Sequence, residues 1–178
     1  MKLIRTIRLD ASDTFVFEKA AEPGEWAVSG AFVFWNRDPA TLEGKIRTAF
    51  RSGFLGISTL GWSTLVQIVE ASDDNRLAVI DTLAKQLIAN FGAPTMDDAV
   101  AAAEEEIAFV ESLCTQPGDT LIAVHRTFED GVVRESFRTL RPRTGIGHAS
   151  AFQFIEVVGE DDLPLEHFDL TTNGEAAR

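Results

Sequence analysis

Two long amphipathic helices set back to back, with a strand before them and a hairpin after, constrain this chain more than any other feature. Leu77, Ile80, Leu83, Ala84, Leu87, Ile88 and Phe91 recur at helical spacing, which predicts a helix over about Asp74 to Phe91. Ser72 or Asp73 can cap its start, and Gly92 with Pro94 ends it. Met96, Val100, Ala103, Ile107, Val110 and Leu113 make the inner stripe of a second helix, Met96 to Cys114. Thr95 and Asp98 stand at capping-box spacing before it, although the box favours Glu or Gln in the second place. Trp62 to Glu70 reads as the preceding strand. Thr120 to Phe128 and Val132 to Leu140 read as a hairpin, because Asp130-Gly131 suits a type I′ turn. The unit from Gly61 to Gly131 is therefore a frame, and the other segments pack around it.

In the N-terminal third, Leu3 to Leu9 alternates in the manner of a strand with one wetter face. Asp10 to Asp13 is turn chemistry, Thr14 to Glu18 resumes as a strand, and Glu22-Pro23-Gly24-Glu25 turns again. Trp26 to Trp35 is apolar on both faces, so it is expected to be a long strand central in the sheet. Asp38-Pro39 opens a helix with the stripe Leu42, Ile46, Ala49 and Phe50, and Gly53 can stop it in the left-handed conformation. Its other face carries Lys45, Arg47 and Arg51, and the plain reading of that face is solvation. Gly53 to Gly61 is glycine-rich but too apolar for a tether, and a packed loop is expected. No Lys-Ser/Thr pair follows its glycines, so it is not a P-loop.

The fold expected is α+β: a mostly antiparallel sheet of about six or seven strands with three helices on one face. One domain is expected over 1–160, followed by an acidic, loosely held tail over 161–178 that carries Glu166, Asp169 and their neighbours. Ala151 to Val158 reads as the last strand.

Acidic side chains outnumber basic ones 28 to 16, for a net charge of −12. That balance repels nucleic acid and anionic membranes. Charged residues from Lys2 to Lys19 interrupt the first twenty residues, so no secretory signal is expected there, and no run reaches the ~20 apolar residues of a membrane span. With Cys114 as the single cysteine, a cytoplasmic protein is expected.

Catalytic patterns are absent from the sequence. His125, His148 and His167 have no His or Cys partner at metal-ligand spacing, so no metal and no cofactor is implied. Glu104, Glu105 and Glu106 are consecutive and point three ways, as on a solvated helix face. Cys114 sits at a helix C-terminus among acids, an environment that raises a thiol's pKa, so its role is structural. Gly145-x-Gly147 lies before a strand, not between strand and helix, and is no dinucleotide fingerprint. No Gly-x-Ser-x-Gly elbow occurs.

One constellation remains. With a two-residue turn at Asp130-Gly131, Thr127 pairs with Arg134, His125 with Ser136, and Ala123 with Arg138, all on one face. The opposite face holds Phe128 with Val133 and Val124 with Phe137, and there Arg126 faces Glu135 as an ion pair near the edge. Arg141 and Arg143 follow, so five of 16 basic residues fall between 126 and 143. The patch His125, Arg134, Ser136 and Arg138 reads either as a solvated sheet face or as an anion-binding site.

Four segments, Arg5-Thr6-Ile7-Arg8-Leu9-Asp10, Glu22-Pro23-Gly24-Glu25-Trp26, Gly61-Trp62-Ser63-Thr64-Leu65-Val66-Gln67 and Val124-His125-Arg126-Thr127-Phe128-Glu129-Asp130-Gly131, span most of the chain. Through them the sequence resembles a family of bacterial proteins known only as a domain of unknown function. The resemblance implies no activity, substrate or site residue.

Two function classes follow. The first is a non-catalytic cytoplasmic binding or accessory protein, with a protein partner, a small anionic ligand or a second copy of itself as partner. The second is a small-molecule enzyme or ligand-binding domain that uses the 120–140 hairpin.

Overall fold

The computed structural model describes residues 1–140 and the backbone of 141–142 and 155–161. The loop with Arg143 and His148 and the acidic tail with His167 lie outside the described residues. The fold is α+β, with two antiparallel sheets. The larger sheet has the order β1-β5-β6-β7-β8, where β1 is Lys2–Ile7, β5 Leu65–Glu70, β6 Leu121–Glu129, β7 Val132–Pro142 and β8 Ile155–Asp161. The smaller has the order β2-β3-β4: Ala27–Val28, Phe54–Gly56 and Trp62–Ser63. The α-helices are α1 (Ser12–Val16), α2 (Gly44–Ser52), α3 (Asp73–Phe91) and α4 (Met96–Leu113), with 3-10 turns at Ala31–Phe34 and Pro39–Thr41.

The frame forms for the reasons its sequence gives. Ser72 accepts from the Asn75 amide while the Asn75 side chain accepts from the Ser72 amide, a reciprocal cap that starts α3. Gly92, at φ +74, ends it. Thr95 caps α4 by accepting from the Asp98 amide. The helices pack Leu83, Ala84, Ala103 and Ile107, all fully buried, into the main core. The stripes differ in detail, since Leu77, Ile88 and Met96 are exposed while Val79 and Ala99 are buried. Leu83→Ala and Ile107→Ala should each cost about 2–5 kcal/mol in urea unfolding, the range for truncating buried aliphatic side chains. Costs below about 0.5 kcal/mol, the surface range, would contradict this packing.

The hairpin adopts the register predicted from its turn. Asp130 (φ +53) and Gly131 (φ +78) make the two-residue connection. Arg126 pairs with Glu135, His125 with Ser136, Val124 with Phe137 and Ala123 with Arg138. The inner face of the hairpin takes Phe109 of α4 against Phe137, ring centroids 5.8 Å apart. Farther along, Phe128 and Val133 pack against a second, smaller core of Phe17, Phe34, Leu42, Ala49 and Phe50.

The N-terminal third departs from the sequence expectation. Thr14 to Glu18 is not a strand. The turn chemistry before it continues into α1, because Asp13 is drawn inward to accept from the Thr64 hydroxyl (2.5 Å) and amide (3.2 Å) and from Ser63 (3.3 Å). The same bonds bend Trp62 to Glu70 at Thr64, so that β4 joins the small sheet and β5 the large one.

Trp26 to Trp35 is not a central strand either. It bridges Arg5 at Trp26, runs as a strand only over Ala27–Val28, turns at Gly30 (φ +80) and continues as a 3-10 turn. A Cβ at Gly30 would stand 2.7 Å from Leu55 Cβ and 3.0 Å from the Trp62 ring. Most of the run is apolar because it threads between the two cores, with Val33 packed against both and Trp35 left exposed. Asp38 does cap, but it caps the 3-10 turn through the Ala40 amide (2.9 Å), and α2 starts later at Gly44. Gly53 is extended, not left-handed (φ −100, ψ 133). It is needed there for space, since a Cβ would lie 2.6 Å from Trp62 Cε3. Part of the packed loop after it is strand β3, with Phe54, Leu55 and Ile57 buried.

Cys114, buried at the end of α4, has its thiol pushed up to about 12, chiefly by burial. A neutral, enclosed thiol should react with a maleimide only slowly at pH 7–8 until the chain unfolds. Fast labelling of the native protein would contradict that environment.

Candidate functional site

The site is built on Arg126. Its position on β6 sends the side chain inward, and it is 0% exposed. Every N–H of the guanidinium is used. Nε donates to Glu135. Nη1 donates to the carbonyls of Phe50 (3.0 Å) and Gly53 (2.8 Å), and Nη2 to the Ser29 carbonyl and the Ser29 hydroxyl (3.0 Å). Ser29 Oγ in turn donates to Glu135 Oε1 at 2.6 Å. Phe50 and Gly53 lie at the C-terminal end of α2, where carbonyls lack intrahelical partners and the helix dipole favours a cation. The arginine thus latches α2 and the turn after β2 to the hairpin. The Arg126–Glu135 pair is the one expected from the hairpin register, but it lies buried and not near an edge. Its signal for burial was an Arg–Glu pair flanked by Phe and Val positions on an inward face.

Docked this way, α2 leaves a groove of about 370 Å³ between itself and β6. Arg47 and Arg51 line one side, Pro39 and Ala40 one end, and Thr127, Phe128 and Glu129 the strand side. Arg47 and Arg51 are exposed and make no ion pair among the described residues. Four residues on a helix rise about 6 Å, so both guanidinium groups can reach one anion. Arg126 closes the groove's depth, but its charge and donors are already committed to Glu135 and the carbonyls. Among the described residues the groove therefore sets two arginines without an ion pair against one carboxylate, that of Glu129.

The hairpin patch has a different form. His125, Arg134 and Arg138 are exposed and Ser136 is half-buried, all on the outer face of β6 and β7. Ser136 Oγ donates to the His125 carbonyl at 3.4 Å, a long contact. The register sets Glu160 of β8 across from Arg138. Arg134 and Arg138, four apart on a strand, stand about 13 Å apart along it. The structure thus gathers the four predicted residues on one open face. It also adds Arg47 and Arg51, which the sequence offered only as a solvated helix face.

Among the described residues no cluster of three or more His, Cys, Asp or Glu side chains is placed to hold a metal ion, and no helix is long and apolar enough to cross a membrane.

The fold and groove together define an α+β protein with a cationic cleft beside its hairpin. The chain belongs to a family of unknown function, DUF6505, whose family model matches residues 1–154. No curated protein and no solved structure matches it.

Proposed function

We propose that this is a non-catalytic binding or accessory protein that recognises an anionic group, a carboxylate or phosphate, in the groove between α2 and β6. The observation that carries the reading is the pair Arg47 and Arg51, one helical turn apart on a helix without acidic residues, both opening on the same groove. Arginine keeps its charge at all working pH values and binds carboxylate and phosphate through two parallel N–H bonds. Those are the properties of a grip more than of a proton-transfer site. The groove's volume also falls in the range of small-ligand sites, about 300–1,000 Å³.

The partner is a small anionic ligand or the acidic group of a protein, in the cytoplasm. Nucleic acid is disfavoured by the chain's overall charge. A second copy of the chain is a further partner, and light scattering would reveal it. A thermal-shift screen of phosphates, carboxylates and nucleotides tests the reading. A ligand at 100 times its Kd adds about 2.7 kcal/mol, hence roughly 5–10 °C for a domain of this size. No shift from any of the three classes would overturn it.

The second reading puts the anion on the hairpin face, in an enzyme or ligand-binding domain that uses His125, Arg134, Ser136 and Arg138. It is favoured by the register that brings these residues together. It is weakened by the ~13 Å between the two arginines, which suits a large anion better than a single carboxylate. Arg134→Lys or Arg138→Lys should weaken binding at unchanged stability if this face is the site.

A further inference from the structure

We propose that a second, separate pocket on the other flank of α2 binds a small monoanion with one aromatic ring and one carboxylate, of the arylacetate type. At ~100° per residue, Lys45, Ile46 and Ala49 occupy a different sector of the helix from Arg47, Phe50 and Arg51. The first three line a pocket of about 150 Å³ together with Phe34 and Trp62. An apolar cavity of about that volume accepts one benzene ring.

Its floor is aromatic and fixed in place. Phe34 lies 5.4 Å from Trp62, centroid to centroid, and meets Phe50 edge-on at 5.3 Å. The far edge of Trp62 is held by the two glycines that make room for it, Gly30 and Gly53. A third ring entering the pocket would extend this cluster in offset or edge-on contact, the geometries aromatic pairs prefer.

The rim is charged. Arg37 and Lys45 are exposed there and make no ion pair among the described residues, so a carboxylate half out of the pocket meets two cations. Glu18 stands on the same rim and disfavours a second negative charge on the ligand. That selects a monocarboxylate over a phosphate dianion, and it separates this pocket chemically from the groove of Arg47 and Arg51.

Trp62 is its own reporter. The chain has three tryptophans and no tyrosine, so a Trp26→Phe/Trp35→Phe variant leaves Trp62 as the only emitter of its kind. Titrated with phenylacetate, that variant should show a saturable change in emission with half-saturation of roughly 1 mM, typical of a ligand this small. The neutral 2-phenylethanol and the cationic benzylamine should bind at least about fivefold more weakly, the worth of one exposed ion pair. Arg37→Gln and Lys45→Gln, both at exposed positions, should each weaken phenylacetate by a similar factor. Calorimetric titration of the unmodified chain with phenylacetate guards against a folding defect in the tryptophan variant. The proposal is overturned by no saturable signal from the unmodified chain at about 20 mM, or by equal binding of phenylacetate and 2-phenylethanol. Unchanged affinity in both glutamine variants would overturn it as well.

Discussion

Arg126→Leu should destabilise the protein by about 3–5 kcal/mol, the range for breaking a buried ion pair from one side. The substitution strands Glu135, whose side chain is only 16% exposed, and removes the partner of three buried carbonyls, those of Ser29, Phe50 and Gly53. A double variant, Arg126→Leu with Glu135→Leu, should recover only part of the loss, because the carbonyls stay unpaired whatever replaces the carboxylate. Arg126→Lys should also fall short. An ammonium offers three donors from one point, whereas this cage needs five N–H directions from a planar fork. Urea unfolding of the three variants measures each cost. If Arg126→Leu costs less than about 1 kcal/mol, the cage is not what fixes α2 against the hairpin.

A further large effect is expected at Glu25. Among the described residues no cation pairs with its buried carboxylate, and four donors converge on it. Oε1 accepts from the Glu22 amide (2.6 Å) and the Thr59 hydroxyl (2.5 Å), and Oε2 from the amides of Ser58 (3.0 Å) and Thr59 (2.9 Å). Gly56 is required beside it, since a Cβ there would come within 2.8 Å of Oε2. The arrangement ties the loop before Trp62 to the turn before β2. Glu25→Gln keeps the shape, yet in either orientation its amide nitrogen meets at least one backbone N–H that has nothing to donate to. It should cost on the order of 2 kcal/mol, and Glu25→Ala more, as four donors lose their acceptor. A glutamine variant within about 0.5 kcal/mol of the parent would mean that the loop satisfies those amides another way.

These two side chains also mark where the sequence stopped being legible. The helices α3 and α4 could be read because their spacing, caps and the Gly92-x-Pro94 stop are all local. The hairpin could be read in register because a two-residue turn fixes every pair behind it, and a slip of one would turn the core face outward. The N-terminal third could not. Asp13 bends the chain through partners 50 and 51 residues away, and Glu25 through partners 33 and 34 away. Trp26 to Trp35 looked like a central strand because a run packed against two cores has the same apolar composition whether the chain is extended or turned. The groove was hidden for the same reason. Arg47 and Arg51 acquire a facing strand only when Arg126, 76 residues after Phe50, closes on the end of their helix. The hairpin patch was legible as a register and not as a cleft, because alternation gives the side of a sheet but not what stands above it.

Calorimetry can locate the anion-binding groove proposed beside α2, the helix latched by Arg126. Inorganic phosphate and citrate would be titrated into the parent protein, into Arg47→Gln/Arg51→Gln and into Arg134→Gln/Arg138→Gln. All four positions are exposed, so both double variants should fold as the parent does. The parent should bind at least one anion, the α2 variant should lose about tenfold or more in affinity, and the hairpin variant should change little. A parent that binds neither anion, or a loss confined to the Arg134/Arg138 variant, would contradict it.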